Sequence, residues 1–226
     1  PQLCCPLRIR GAHILGPIRA LPTTRDGPGM ALLFWECEFD SPVDLSGADF
    51  LSLRLVNCRL PAFIGISLTT KADLDLSGSH FGGVRDHASD HADVGSCAVH
   101  LNHARVGGRL LLSATPQGRF EANGGVSLDG AHIDGSVGLH GALLQDCDSA
   151  ALSARGAVVG GNMELLPGQG HRCEVHGEIS LVAAHITGDL NCGSALLLNP
   201  GGRVLHCEDL VVESVFLTRD DPRYFF

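Results

Sequence analysis

Apolar residues along this chain fall into a recurring fourteen-residue pattern. VSLDGAHIDGSVGL, Val126 to Leu139, shows it most clearly, with apolar positions at offsets 0, 2, 5, 7, 11 and 13 and a glycine at 9. VHLNHARVGGRLLL from Val99, LSARGAVVGGNMEL from Leu152 and ISLVAAHITGDLNC from Ile179 repeat it. The L-x-L and V-x-L spacing has the period of two that places alternate side chains of a strand on one face, and it lacks the 3.6 spacing of an amphipathic helix. Self-similarity at a period of roughly twenty to fifty residues marks a solenoid.

Copies of the pattern begin at Leu7, Val43, Leu74, Val99, Val126, Leu152, Ile179 and Leu210, at intervals of 36, 31, 25, 27, 26, 27 and 31 residues, which implies eight coils. Within a copy, Leu45, Phe50, Leu55 and Leu60 are five residues apart, and Leu128, Ile133, Leu139 and Leu144 are five, six and five apart. Each step reads as one short strand and a corner, so four steps close a coil. Coils stacked at about 4.8 Å give a rod of roughly 38 Å. The pattern therefore predicts an all-β parallel β-helix with four-sided coils, a single unit over residues 1–226 or a fragment of a longer chain. In the copy at Val126, it places Val126, Leu128, Ala131, Ile133, Val137 and Leu139 inside and His132 outside.

Composition narrows the picture. Hydrophobic residues make up 44% and aromatics only 5%, so the interior is built from aliphatic side chains, Ala and Cys, which suit a narrow core. The 29 glycines follow no collagen period and fall at tight corners. A formal charge of −9 disfavours direct nucleic-acid binding, which draws on clustered Lys and Arg. No run of eighteen apolar residues predicts a transmembrane helix. Nine cysteines without a CxxC pair read as small buried hydrophobes in a reducing, cytoplasmic setting.

The steps VDLSG, ADFLS, LRLVN and CRLPA, Val43 to Ala62, resemble pentapeptide repeats. Leu45, Phe50, Leu55 and Leu60 stand as the centres, with Val43, Ala48, Leu53 and Cys58 as their inward partners. The resemblance implies a right-handed quadrilateral β-helix of bacterial type. The rest of the chain departs from strict A-[DN]-L-x-x by six-residue steps and insertions. The chain is also similar to bacterial pentapeptide-like proteins labelled membrane-associated oxidoreductases. No GxGxxG follows a strand and opens a helix, so the dinucleotide fingerprint is absent and no cofactor is expected.

Extra residues follow the third or fourth step of a coil. TPQGRFEANGGVSL, LPGQGHRCEVHGEISL and LNPGGRVLHCEDLVV align, placing Pro116, Pro167 and Pro200 in glycine-containing turns and Arg119, Arg172 and Arg203 behind them. One recurring coil position lines these turns along a single edge, an expected interaction edge. The loops from Leu21 and Gly83 fall at comparable places.

Candidate chemistry concentrates in the Gly83 loop, where His87, Asp90, His91 and Asp93 offer nitrogen and carboxylate ligands of the kind zinc takes. The alternative is that these side chains simply face water. A second series, His13, Asp49, His80, Arg105, His132, Val158, His185 and Phe216, follows the Ala position of successive copies and is expected to form an outward, solvated ladder. No GxSxG elbow or Cys–His signature stands in a strand–turn–helix context.

The terminal coils need cover, and Tyr224, Phe225 and Phe226 either cap the last coil or meet a second copy or a further domain. Two functional readings stand. One is a non-enzymatic scaffold or protein-binding module with an unidentified protein partner; the resemblance adds, as a special case, an acidic rod that imitates DNA to bind a topoisomerase. The other is an enzyme or small-ligand or metal-binding protein using residues 83–97, with His87 and His91 as its polar candidates.

Overall fold

The computed structural model describes residues 6–19, 29–82, 97–145 and 150–217. Among them no helix occurs, and strands of neighbouring coils pair in parallel throughout. The chain winds as a right-handed parallel β-helix with four faces. The first face stacks Ile18, Val43, Phe63, Val99, Val126, Leu152, Ile179 and Leu205. The second stacks Asp49, Thr69, Arg105, His132, Val158, His185 and Val211. The third carries Leu7, Leu32, Leu53, Leu74, Leu110, Val137, Met163, Leu190 and Val215. The fourth carries His13, Glu38, Arg59, His80, Glu121, Leu143, Glu174 and Leu196.

The first and fourth faces are sheets of eight strands, matching the eight coils expected from the repeat. Met30–Trp35 and Asp49–Val56 run through the corner between the second and third faces without a break. They join those two ladders into one sheet of fifteen strands.

Inside, the pairing of a centre with the residue two before it holds in detail. Leu45, Phe50, Leu55 and Leu60, with Val43, Ala48, Leu53 and Cys58, are all buried to 6% exposure or less. Val126, Leu128, Ala131, Ile133, Val137 and Leu139 are buried as the pattern requires, and His132 is exposed. These side chains belong to one apolar cluster that runs from Leu32 to Cys192. Each aliphatic residue so buried stabilises the fold by about 1.5–3 kcal/mol relative to exposure.

Three of the eight expected coil starts lie on other faces. Leu7 and Leu74 belong to the third face, and Leu210 precedes the second-face strand Val211–Val212. The residues stacked on the first face are Ile18, Phe63 and Leu205. Every face uses the same inward pair, so a local L-x-L does not say which face it occupies. Gly65 adds a disguise, because it stands where other coils have an inward Leu. A Cβ there would lie 3.0 Å from Leu101 Cδ2 and 3.1 Å from the Phe63 ring. The Phe63 side chain fills the space that the missing Leu leaves. For the same reason the outward series divides: Asp49, Arg105, His132, Val158 and His185 share the second face, whereas His13 and His80 lie on the fourth and Phe216 on the third.

From the coil of Val43 onward, one corner is nearly identical among the described residues. Between the first and second faces a two-residue turn ends in a left-handed residue: Gly47, Ser67, His103, Gly130, Gly156, Ala183 or Asp209, with φ from 54° to 68°. Glycine takes this conformation freely, while side chains with Cβ are strained in it. The corner between the second and third faces needs glycine for another reason. A Cβ on Gly107 or Gly135 would come within 2.7 or 2.8 Å of a backbone carbonyl in the coil beneath.

Candidate binding face between the inserted turns

Three inserted turns, at Pro116, Pro167 and Pro200, border the fourth face, whereas the residues from Leu21 fall between Ile18–Arg19 of the first face and Met30–Trp35, away from the place expected for them. The Pro116 turn interrupts the passage from Leu110–Leu111 to Glu121–Asn123, and the Pro167 turn that from Met163–Glu164 to Glu174–His176. Both lie at the corner between the third and fourth faces. The Pro200 turn separates Leu196–Leu198 from Leu205–His206, at the corner between the fourth and first faces. The three turns therefore occupy two edges that border one face, and not the single edge expected. Their alignment by sequence distance failed because the Pro200 turn sits one strand further round its coil.

The edge carrying Pro116 and Pro167 is stitched across whole coils. Thr115 closes a small turn with Gly118, and Gly168 closes another with His171. The Thr115 hydroxyl donates to Asn57 Oδ1 at 2.6 Å, two coils away. Arg119 reaches across the intervening coil in the other direction. Its Nε donates to Gly141 O at 3.2 Å, its Nη2 to Ala142 O at 2.9 Å and to Arg172 O at 3.0 Å, and its Nη1 pairs with Glu174 at 3.2 Å. The intervening corners are glycines. A Cβ on Gly78 would collide with Asn57 Oδ1, and one on Gly141 with Gly168 O. Bare corners thus let alternate coils touch.

Among the proposed contact residues, Pro116, Pro167, Arg172 and Pro200 are exposed. Arg203 is also exposed and meets Glu178 at 3.4 Å. Arg119 differs, with only 15% of its side chain exposed. Its guanidinium holds the edge together.

Two outward columns run along the floor between the turns. One holds His13, Glu38, Arg59, His80, Glu121, Leu143, Glu174 and Leu196, and the other Asn123, Gln145, His176 and Leu198. His80 Nδ1 lies 2.9 Å from Glu121 Oε2, and His176 Nε2 lies 3.5 Å from Glu174 Oε2. Sequence reasoning missed this face because its members are scattered at irregular intervals. Only strand pairing brings them into register.

Two kinds of candidate chemistry bear on the described residues, metal binding and thiol reactivity. No group of three or more His, Cys, Asp or Glu side chains is arranged to hold a metal ion there. His87, Asp90, His91 and Asp93 lie outside the described residues, as do Leu21 and Tyr224 to Phe226. Burial pushes the thiols of Cys58 and Cys173 up to about 12 and that of Cys192 to about 11, so they remain protonated near neutral pH and are poor nucleophiles. A depression on the third face, lined by Arg8, Ala31, Leu33, Ser52 and Arg54, is partly neutralised because Arg54 pairs with Asp75 at 3.1 Å.

No helix among the described residues is long and apolar enough to cross a membrane. No protein-family model, no curated protein and no solved structure matches the chain. The structure therefore establishes a repetitive parallel β-solenoid by its own geometry.

Proposed function

We propose that this chain is a non-enzymatic solenoid that binds a protein through its fourth face and the turns on either side. The observation that carries the reading is the clustering of insertions. The Pro116, Pro167 and Pro200 turns border one face, while the corner between the first and second faces keeps its two-residue turn from Gly47 to Asp209. In repeat proteins, insertions collected on one side commonly frame the binding surface.

The chemistry of the floor indicates the kind of partner. Glu38, Arg59, His80 and Glu121 alternate in character along the rod instead of forming an unbroken row of carboxylates. Leu143 and Leu196 interrupt the charges. Such a surface complements a mixed, partly apolar protein epitope better than a DNA-binding groove, which calls for a row of acids that imitates DNA.

Affinity capture from a lysate of the source organism tests this reading. The double variant Asn123→Arg, Gln145→Arg adds charge to the floor, and Arg105→Glu alters the opposed second face as a control. The same partner should be retained by wild type and control and lost by the floor variant. Equal capture by all three proteins sinks the proposal.

A further inference from the structure

Two thiols lie stacked in the core beneath the fourth face. Cys37 and Cys58 are 21 residues apart in the chain, and each directly precedes an outward residue of that face, Glu38 and Arg59. Glu38 pairs with Arg59 in parallel register, and Arg59 N–H donates to Cys37 O at 2.9 Å. The two cysteines therefore hold one inward position in consecutive coils. Parallel neighbours of this kind lie about 4.8 Å apart. Both cysteines are free, and they are 2% and 1% exposed.

Their side chains point the same way. Cys37 Sγ donates to Trp35 O at 3.4 Å and Cys58 Sγ to Val56 O at 3.5 Å, and Trp35 and Val56 are themselves partners across the two coils. The Cys37 thiol also hydrogen-bonds that of Cys58. In the same column Ala12 stands before Cys37 and Ser79 after Cys58. The Ser79 hydroxyl accepts Cys58 N–H at 2.9 Å and donates to Leu55 O at 2.7 Å, which fixes the backbone of Cys58. Cys173 takes the equivalent position further along, but between Ala142 and Ala195. A separation of about 4.8 Å falls within the roughly 4.4–6.8 Å between Cα atoms that a disulfide spans.

We propose that Cys37 and Cys58 are a disulfide site between consecutive coils, joined when the chain folds in contact with a disulfide oxidant such as oxidised glutathione. One cysteine thiolate attacks the oxidant's S–S bond and releases one glutathione, and the second then displaces the other glutathione from the mixed disulfide. The cysteine pair gives up two electrons to the oxidant, and its two thiol protons end on the two glutathiones released. Packing sets the timing. Exchange needs a thiolate that can reach the oxidant, whereas in the finished coil both sulfurs are enclosed and burial keeps the Cys58 thiol protonated, up to about 12. The bridge is therefore laid as the coils close, and the same packing then shields it from reductants. It closes a loop of one coil and restricts the unfolded chain. The inference is independent of any partner on the fourth face, because the sulfurs lie on the inner side of the strands.

Refolding the full chain from urea in a mixture of reduced and oxidised glutathione, and separately in reductant alone, tests it. Peptide mapping by mass spectrometry should recover Cys37 linked to Cys58 from the first sample and both free from the second. The linked protein should melt roughly 5–10 °C higher. Native reduced protein placed in the same glutathione mixture should form the link at least about tenfold more slowly. Cys37→Ala and Cys58→Ser introduce the residue types that Ala12 and Ser79 supply in the same column, and each should fold yet lose both the link and the difference in midpoint. The proposal is overturned if the two cysteines are recovered unlinked, if either is joined chiefly to another cysteine, or if linked and reduced proteins melt alike. Native protein that links as fast as refolding protein overturns the order of events.

Discussion

The corner between the first and second faces and the corners that border the fourth face solve the same problem in opposite ways. At the first, each coil from Val43 onward closes an internal hydrogen bond, such as Ala131 N–H to Leu128 O at 2.9 Å or Ala157 N–H to Ala154 O at 3.2 Å. Each turn residue then donates to the next coil, as Gly130 does to Arg155 O and Ala183 to Glu208 O, both at 2.8 Å. An extra residue there would break bonds within its coil and between coils. At the fourth-face corners the inserted turns close on themselves, Thr115 with Gly118 and Gly168 with His171, so the ladders on either side keep their register. Insertion is tolerated where a turn satisfies its own backbone, and costs more where the backbone is shared with coils on both sides, as it is from Gly47 to Ala183.

The largest expected effect contrasts the two corners directly. Inserting Gly-Ser after Gly130 should destabilise the protein by about 3 kcal/mol or more, since several backbone bonds are lost at about 1 kcal/mol each. The same insertion after Gln117 should change stability by no more than about 0.6 kcal/mol, the order of the loop-closure term. Urea unfolding of the two variants decides the matter, and equal losses would break the comparison.

A smaller effect concerns the stitched edge. Arg119→Met keeps the side-chain length but removes the hydrogen bonds to Gly141, Ala142 and Arg172, and should cost about 2 kcal/mol in the same assay. A loss below about 0.5 kcal/mol would mean that the inserted turns stand without the clip, an ordinary result for a surface substitution.

The shared corner can also be improved. Ala183 adopts φ 54° where three other coils have glycine, so Ala183→Gly should stabilise by up to about 1 kcal/mol. A fall in the thermal midpoint would show that unfolded-state entropy outweighs the relieved strain at this turn.

The smallest effect is electrostatic and lies at the corner between the second and third faces. Burial works against ionisation of Asp73, but Arg109, whose side chain and backbone N–H both bond to it, holds the carboxyl below its ordinary range. A lowered folded value means that the contribution is complete above about pH 4 and is lost as pH falls through the folded value. Because both side chains are substantially exposed, Asp73→Asn should remove less than about 1 kcal/mol, seen as a flatter acid limb of stability against pH. An unchanged limb would assign the pH dependence elsewhere.

Much of the fold was legible because the inward pair leaves a local trace. Val126 with Leu128 and Ala131 with Ile133 can be read inside or outside from a few neighbours alone. The faces were less legible. Leu74 and Leu76 repeat the signature of Val43 and Leu45, yet they stack on Leu53 and Leu110 of the third face, while Phe63 and Gly65 hold the place assigned to them. Size complementarity between Phe63 and Gly65 keeps the core filled and erases the pattern. The candidate face was less visible still, since Glu121, Leu143 and Glu174 fall at unequal intervals and Leu143 breaks the run of acids. The contact role expected for Arg119 rested on its recurrence beside proline, which does not reveal where a guanidinium points.

The sequence by itself determined the strand period, the four-sided coil and the identity of most inward residues, because alternation and corner glycines act over five or six residues. Tertiary structure alone decided which coil positions stack, which edges the insertions share and what lies on the floor between them. Those depend on hydrogen bonds between residues about a coil apart in the chain, and the register of such bonds is set by the whole stack.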